Sequence, residues 1–333
     1  MKTYLSVLDL IGNSPLIRLD RFARSVRPTL LGKAEYLQPG GSVKDRAARG
    51  ILDDAERRGK LAPGGTIVEG TAGNTGIALA LLGNARGYRT IICIPDDQSD
   101  EKYALLRGFG ADVRVIPAAP FTNDENYYHV ARRTAESIPG AFWADQFNNT
   151  ANRDAHAATT GPELWEQTGG MLDAFVAAAG TGGTLAGISL ALKARDPNIR
   201  TVLNDPYGSS LYSYMKTGTL ESEGDSNAEG IGIKRIVANF ANAPIDDAIR
   251  TEDNAMVEMA YWLVREEGLF LGGSAALNVA GAARYAMTLP KGSLVATILC
   301  DGGERYRSRL YNRTWLEEND CVPTATDLSF LTV

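Results

Sequence analysis

Strand-like and helix-like segments alternate along the chain, and this alternation limits the fold more than any other feature of the sequence. Short apolar runs at 66–69, 89–95 and 294–300 are each followed or preceded by a segment of helical length. Strands that alternate with such helices form parallel sheets with helices on both faces. A chain of 333 residues is long enough for two cores. The sequence therefore predicts an α/β fold of two doubly wound, mostly parallel domains.

Composition and charge exclude several classes of function. The formal net charge is −6 and is spread without blocks, so we expect no nucleic-acid or membrane partner. Three distant cysteines form no metal-ligand or disulfide pattern, which predicts a reducing compartment. The chain has two histidines, too few for most metal or Ser-His-Asp sites. The first ten residues show no signal-like run, so we expect a cytoplasmic protein.

Lys44 follows a Pro-Gly-Gly turn and stands at the start of a predicted helix over 45–58. The glycines allow the backbone to pass close to neighbouring groups. A lysine at such a junction can be desolvated, and a neutral amine attacks carbonyl carbons. The stretch alone, however, favours the alternative that Lys44 is an ordinary solvated cation.

Three glycine-rich turns, at 71–76, 180–184 and 301–303, follow predicted strands. In open α/β sheets, ligands bind at the carboxyl ends of the strands. The turn at 180–184 offers backbone N–H groups, two threonine hydroxyls and a helix N-terminus to a phosphate. It matches neither the dinucleotide fingerprint nor the P-loop. Taken singly, these turns are also compatible with ordinary tight turns and helix caps.

A lysine, a phosphate cradle and a polar turn together indicate one kind of ligand. Asn74 in the turn at 71–76 can bind a hydroxyl or a carboxylate, because its amide both donates and accepts hydrogen bonds. A phosphorylated aldehyde would use all three features. The sequence therefore predicts pyridoxal 5′-phosphate as cofactor, held by a Schiff base to Lys44.

Four motifs follow one another along the chain: Pro39-Gly40-Gly41-Ser42-Val43-Lys44-Asp45-Arg46, Thr71-Ala72-Gly73-Asn74-Thr75-Gly76, Gly180-Thr181-Gly182-Gly183-Thr184 and Glu229-Gly230-Ile231-Gly232. They resemble, in the same order, those of the cysteine synthase and cystathionine β-synthase family of fold-type II pyridoxal phosphate enzymes. The resemblance extends from about Ile11 to the helix after Tyr306. It implies a smaller, mobile, substrate-clamping domain over 45–150 and a larger, phosphate-binding domain over 1–44 plus 151–333, with the cofactor between them.

The resemblance also implies roles for individual residues. Lys44 would carry the cofactor and then move the α-proton of the substrate as a general base. Asn74 would bond the 3′-oxygen of the cofactor. The implied cofactor contacts are Lys44, Asn74, Gly180, Thr181, Gly182, Gly183, Thr184 and Gly302. The implied substrate contacts are Thr71, Ala72, Asn74, Thr75, Gln146 and Gly232, and no metal is implied.

The chain departs from the family pattern at two positions. Ala72 stands where serine is usual, so one hydroxyl near the substrate is missing. Gly302 stands where the family places a serine or threonine that faces the pyridine nitrogen. One hypothesis is that Asp301 takes over this contact. His156 is interpreted as structural, and Cys300 as a small buried residue at a strand end.

The resemblance implies β-replacement on an L-serine derivative such as O-acetyl-L-serine, through aminoacrylate, with a thiol-type or other small nucleophile. The alternative within the family is an L-cysteine desulfhydrase that forms sulfide, pyruvate and ammonia. A threonine or serine dehydratase is disfavoured, because its phosphate loop is usually a run of glycines. A nucleotide-binding or non-catalytic α/β protein is the alternative from a different class. A homodimer is expected from the resemblance alone.

Overall fold

The computed structural model describes residues 3–25 and 28–331, which form two separate β-sheets flanked by helices. The strands are β1 Leu16–Arg18, β2 Thr29–Ala34, β3 Thr66–Gly70, β4 Arg89–Pro95, β5 Asp112–Ile116, β6 Phe142–Trp143, β7 Ala174–Ala177, β8 Arg200–Pro206, β9 Asp247–Thr251 and β10 Leu294–Leu299. The helices are α1 Asp20–Ser25, α2 Lys44–Arg57, α3 Asn74–Arg86, α4 Asp100–Gly108, α5 Tyr127–Ser137, α6 Ala151–Ala158, α7 Thr160–Gln167, α8 Gly183–Lys193, α9 Leu211–Thr217, α10 Asp253–Trp262, α11 Gly273–Met287 and α12 Arg313–Glu318.

The larger sheet has six strands in the order β1-β2-β10-β7-β8-β9. Only the β1–β2 pair is antiparallel among these described strands. Strands β7 and β10 read as continuous apolar runs because both of their faces are covered by helices. Helix α11 is buried along almost its whole length and packs on one face of this sheet. The carboxyl ends of the parallel strands therefore all open toward one edge.

The smaller sheet has four parallel strands in the order β5-β4-β3-β6, all drawn from residues 66–143. The prediction of an α/β fold with mostly parallel sheets is confirmed. All strands of the smaller sheet come from the predicted domain 45–150, and all strands of the larger sheet come from the predicted domain 1–44 plus 151–333. The mobility of the smaller domain stays a prediction.

Several predicted elements have different bounds in the structure. The sequence predicts one helix over 151–168, but the structure has two helices there, because the backbone at Thr159 (φ −125°, ψ −70°) is not helical. The sequence also predicts a strand over 30–37, but the strand ends at Ala34, after which Glu35–Leu37 forms a 3-10 turn. Strand β9 and helix α9 were not predicted. No helix among the described residues is long and apolar enough to cross a membrane.

A buried ionic cluster fixes the start of α2, the helix that begins at Lys44. The Arg46 guanidinium donates to both oxygens of Glu35 (2.8 and 2.9 Å) and both oxygens of Glu163 (2.7 and 2.7 Å). Lys33 Nζ donates to Glu163 at 2.7 Å and to the Ser14 carbonyl at 2.7 Å. Two cations thus balance two carboxylates, and such paired geometry is what makes buried charges tolerable. The cluster ties α2 to β2 and α7.

Candidate active site

A cleft with a volume of about 190 Å³ is lined by residues from both sheet-bearing parts of the chain. It brings together the predicted lysine, the turn at 71–75 and the turn at 180–184, which are far apart in sequence. The residues around it are Val43, Lys44, Thr71, Ala72, Gly73, Asn74, Thr75, Lys102, Tyr127, Gln146, Phe147, Ala177, Ala178, Gly180, Thr181, Gly182, Thr184, Leu185, Glu229, Gly230, Ile231, Gly232, Ile233, Ser274, Asn278, Ile298, Cys300 and Tyr306.

Lys44 is the first residue of α2 and is half-buried in the cleft wall. The turn that precedes it is pinned to the end of β10, because Val43 N donates to the Cys300 carbonyl at 2.9 Å. Ser42 forms an isolated antiparallel bridge with Asp301. These backbone contacts place the half-buried Lys44 side chain in the wall of the cleft, which favours the predicted role over that of a freely solvated cation.

The turn at 180–184 leads into α8, whose first N–H groups have no acceptor within the helix. Gly182 has φ +80°, a conformation that favours glycine. The Thr181 hydroxyl oxygen accepts from Asn152 Nδ2 at 3.0 Å, so its own proton remains available for a ligand. Gly183 lies outside the cleft lining, and a side chain there would collide with Asn152.

His156 lies behind this turn and is fully buried. Its Nε2 is 3.2 Å from the Thr184 hydroxyl and its Nδ1 is 2.8 Å from the Thr160 hydroxyl. Burial and the nearby Arg46 and Lys44 charges lower the pKa of His156 well below its usual value, so the ring is neutral. A neutral ring that donates from Nε2 makes Thr184 an acceptor and leaves the threonine proton for the cleft. This placement favours the structural interpretation of His156.

The turn at 71–75 opens α3 on the opposite side of the cleft. Gly73 has φ +138°, and Thr71 Oγ1 accepts from the Gly73 N–H at 3.2 Å. Thr75 Oγ1 donates to Gln146 Oε1 at 2.5 Å, and Gln146 Nε2 donates to the Gly70 carbonyl at 3.2 Å. The structure thus brings the predicted substrate contacts together around the free N–H groups of a helix N-terminus.

Gly302 lies outside the cleft and lines a separate surface groove beside Tyr36 and Phe109. Asp301 is fully buried and is bonded to Asn74 and Tyr306, so this geometry does not support the hypothesis that it reaches the cofactor ring. Ser274, in the first turn of α11, lines the cleft instead. The two positions belong to neighbouring segments, since Leu271 and Gly302 form an isolated bridge, but only Ser274 faces the cleft. The predicted contact of position 302 with the cofactor is therefore not supported by this geometry.

Cys300 also lines the cleft at the end of β10. Its Sγ lies 3.3 Å from Asn278 Nδ2. Burial raises the pKa of the Cys300 thiol to about 12, so it is protonated at neutral pH. A protonated thiol is a weak nucleophile, which agrees with the interpretation of Cys300 as a small packing residue.

Two contacts join residues 102–121 to the segment 229–235. Lys102 in α4 forms a buried ion pair with Glu229 in the cleft lining, and its side-chain stem covers Gly73, where a Cβ would lie 2.6 Å from Lys102 Cδ. The Arg235 guanidinium lies 3.6 Å from the centroid of the Phe121 ring. Residues next to the strands of the smaller sheet therefore contact this segment at both of its ends.

The sequence alone did not indicate that Lys102 and Tyr306 belong to the site, or that Glu229 is the charge partner of Lys102. Lys102 lies within an ordinary amphipathic helix, and its charge has no local signature of function. The Lys102 ammonium is 5.0 Å from the centroid of the Tyr306 ring. Glu229 does precede a predicted glycine motif, and that adjacency is the one signal that could have suggested it.

Comparison with known proteins agrees with this site. The family model described as pyridoxal-phosphate dependent enzyme matches residues 7–301. Cysteine synthase 1 of Emericella nidulans is 52% identical over 314 residues, which cover 93% of this chain and 85% of that protein. Cysteine synthase of Dictyostelium discoideum is 44% identical, with 98% of this chain and 89% of that protein covered. Cystathionine beta-synthase of Apis mellifera is 39% identical, with 93% and 62% covered.

Solved structures lead to the same grouping. The O-acetylserine dependent cystathionine beta-synthase from Helicobacter pylori superposes with a TM-score of 0.85 at 34% identity, covering 93% of this chain and 99% of that one. O-ureido-L-serine synthase superposes with a TM-score of 0.86 at 34% identity, covering 99% of both chains. The chain belongs to the pyridoxal-phosphate dependent enzyme family, among the cysteine synthases and cystathionine β-synthases.

Proposed function

We propose that this enzyme catalyses β-replacement on an L-serine derivative such as O-acetyl-L-serine, with a small thiol-type nucleophile. The observation that carries the proposal is the convergence of Lys44, the turn at 71–75 and the turn at 180–184 in one cleft. The names and identities of the cysteine synthase relatives support the same reaction. Because the chain belongs to the pyridoxal-phosphate dependent enzyme family, the nucleotide-binding alternative is not pursued further.

The residues of the cleft fit pyridoxal phosphate. Thr181 has a hydroxyl proton left to donate, Thr184 has one when the His156 ring carries its proton on Nε2, and the N-terminus of α8 adds positive potential for a phosphate. When bound, the cofactor supplies an electron sink for negative charge that develops at the substrate α-carbon. Ser274 is the hydroxyl we assign to the pyridine nitrogen, in place of Gly302.

The protein residues supply binding, orientation and proton transfer. The Lys44 amine would hold the cofactor aldehyde and then move the α-proton of the substrate. The N–H groups at the start of α3 would bind the substrate carboxylate, with the Thr75 hydroxyl oriented by Gln146. The Lys102–Glu229 pair would exclude water from the closed cleft.

Product analysis tests the function directly. The holoenzyme is supplied with O-acetyl-L-serine and sulfide in one assay and with L-cysteine alone in another. We expect L-cysteine formation in the first assay to exceed pyruvate formation in the second by at least about tenfold, because the Lys102–Glu229 pair in the cleft lining would keep water from the bound substrate. A protein that takes up pyridoxal phosphate but forms no L-cysteine would contradict the proposal.

Elimination from L-cysteine is the second candidate function. Ala72 favours it, because the missing hydroxyl removes one contact that would hold the bound substrate. Pyruvate formation from L-cysteine that is faster than L-cysteine synthesis would establish the enzyme as a desulfhydrase.

The Lys102–Glu229 ion pair in the cleft lining leads to a mutational prediction. Lys102→Met should raise the fraction of O-acetyl-L-serine lost as pyruvate about tenfold, a change of about 1.4 kcal/mol in relative barriers. The methionine keeps the apolar stem over Gly73 but loses the charge that faces Glu229, so water enters the cleft more often. The ratio of pyruvate to L-cysteine measures the effect.

Lys216→Met is the matched control for this prediction. Lys216 pairs with Asp247 at 2.5 Å, but its side chain is 40% exposed and far from the cleft lining. Exposed pairs contribute little, so this variant should keep the wild-type product ratio. Equal ratios of pyruvate to L-cysteine in both variants would show that the Lys102–Glu229 pair does not keep water out of the cleft.

We also propose that the enzyme works as a homodimer in the cytoplasm. The family resemblance supports the dimer, and no helix of the described residues is long and apolar enough to cross a membrane. One yeast relative is called a putative mitochondrial cysteine synthase. Light scattering and cell fractionation would test the two statements separately.

A further inference from the structure

Asp301 follows the last strand of the larger sheet and is completely buried behind the wall of the cleft. Its Oδ2 accepts from Asn74 Nδ2 at 2.7 Å and from the Tyr306 hydroxyl at 2.6 Å. Its Oδ1 has no hydrogen-bond partner among the described residues. Because a buried carboxylate is costly to leave partly unpaired, this position calls for an explanation beyond packing.

Asn74 is held at both ends of its amide. Its Nδ2 donates to Asp301, and its Oδ1 accepts from the Arg305 guanidinium. Arg305 is itself buried and also donates to the Gly40 carbonyl, next to the turn that carries Lys44. The Asn74 side chain therefore joins residues 227 and 231 positions away in the sequence.

The chemistry of these two partners fixes the orientation of the amide. A guanidinium only donates hydrogen bonds, so the Asn74 oxygen must face Arg305 and its nitrogen must face Asp301, whose Oδ2 accepts from it. The second N–H of the amide then remains for a ligand in the cleft, which Asn74 lines. Opposite charges at the two ends also polarise the amide and strengthen that N–H as a donor.

We propose that Asp301 and Arg305 are positioning residues that fix Asn74 as a hydrogen-bond donor to the 3′-oxygen of bound pyridoxal phosphate. The inference rests on the proposed function, in which Asn74 contacts that oxygen. A donor at this position favours the ionised oxygen, while the carboxylate and guanidinium together add no net charge. Asp301 acts through Asn74 and does not touch the cofactor ring.

The test is the visible absorption spectrum of the holoenzyme as a function of pH. Asp301→Asn replaces the carboxyl group that accepts from Asn74 Nδ2 by an amide that can also donate, so the Asn74 side chain keeps its contact with Arg305 but loses one of the two constraints on its orientation. We expect the pH at which the cofactor band titrates to rise by about one unit and the dissociation constant for the cofactor to increase about tenfold. The Asn74→Ala variant should show a similar change.

A double-mutant cycle distinguishes positioning from general destabilisation. If Asp301 acts through Asn74, then Asp301→Asn should add no further band shift in the Asn74→Ala background. Asp205→Asn is the control, because Asp205 is another fully buried carboxylate at a strand end but does not line the cleft. The cofactor band of the Asp205→Asn variant should titrate as in the wild type, even if the melting temperature of this variant is lower.

Each outcome decides one question. A wild-type protein without a visible band overturns the proposed function, whereas a wild-type band with an unshifted Asp301→Asn band overturns this inference alone. Additive shifts in the double variant overturn it as well. If the Asp301→Asn variant fails to fold, Tyr306→Phe is the second variant, because it removes the other hydrogen bond to Asp301. We expect it to shift the cofactor band in the same direction by a smaller amount. An unchanged band in Tyr306→Phe would overturn the inference.

Discussion

Lys44→Ala is expected to abolish the visible absorption band of the lysine-bound cofactor and to lower kcat/KM by at least about 10³-fold. General acid–base catalysis alone contributes 10²–10⁴-fold in typical enzymes, and this variant also removes the nucleophile. Lys44 is suited to both tasks because it starts α2 and lines the cleft beside the turns at 71–75 and 180–184. Absorption spectra and steady-state rates of the reconstituted protein measure the two losses separately.

Two further variants show which property of Lys44 matters. Lys44→Arg keeps the positive charge but has no amine that can attack an aldehyde at neutral pH, so it should be as inactive as the alanine variant. Lys60→Ala removes an exposed lysine just after the same helix and should leave band and rate unchanged. If the Lys44→Ala protein kept a lysine-bound band, the cofactor would have to be held by Lys102, the other lysine in the cleft lining.

Arg46→Met should destabilise the fold by about 3–5 kcal/mol, because it leaves buried carboxylates without their main cation. The Arg46 and Glu35 side chains are 2% and 0% exposed, and their bond is 2.8 Å long. Glu163 would keep Lys33, but Glu35 would keep only neutral donors from Ser14 and Gln38. Denaturant unfolding of wild type and variant, followed by fluorescence, gives the difference in free energy of unfolding.

Arg57→Met on the same helix is the control for this prediction. The Arg57 side chain is 71% exposed and pairs with Asp54, so its removal should change the free energy of unfolding by less than about 0.5 kcal/mol. Equal losses from the two variants would mean that the buried cluster does not anchor α2.

The same cluster predicts how stability depends on pH. Burial opposes ionisation of Glu163, but hydrogen bonds and charge from Arg46, together with Lys33, outweigh it and lower its pKa to about 2. A lowered pKa means that the folded state holds the proton less tightly than the unfolded chain does. The stabilisation from Glu163 is therefore complete above its ordinary pKa of 4.5 and is lost as the pH falls toward 2. Arg46→Met should make this acid-induced loss smaller.

Local patterns in the sequence determined the class of the fold and the positions of its ligand-binding turns. Alternating apolar segments predict parallel strands, and glycines at strand ends predict turns, because both depend on neighbours along the chain. Boundaries were less well predicted: the backbone break at Thr159 and the early end of β2 at Ala34 have no strong local signal. Helix α9 was missed because the surrounding segment is rich in polar residues and glycine.

Contacts between distant segments were decided only by the tertiary structure. Asn74 meets Asp301 across 227 positions and Lys102 meets Glu229 across 127, and no periodicity in the sequence relates such pairs. The same reason explains why the cleft contains Ser274 and excludes Gly302, since the two neighbouring segments come from distant parts of the sequence and only the folded chain decides which of them faces inward. The sequence by itself determined that a lysine, a phosphate-binding turn and a polar turn exist. Contacts between the two sheet-bearing parts of the chain, made largely by helices, determined which side chains hold them in place.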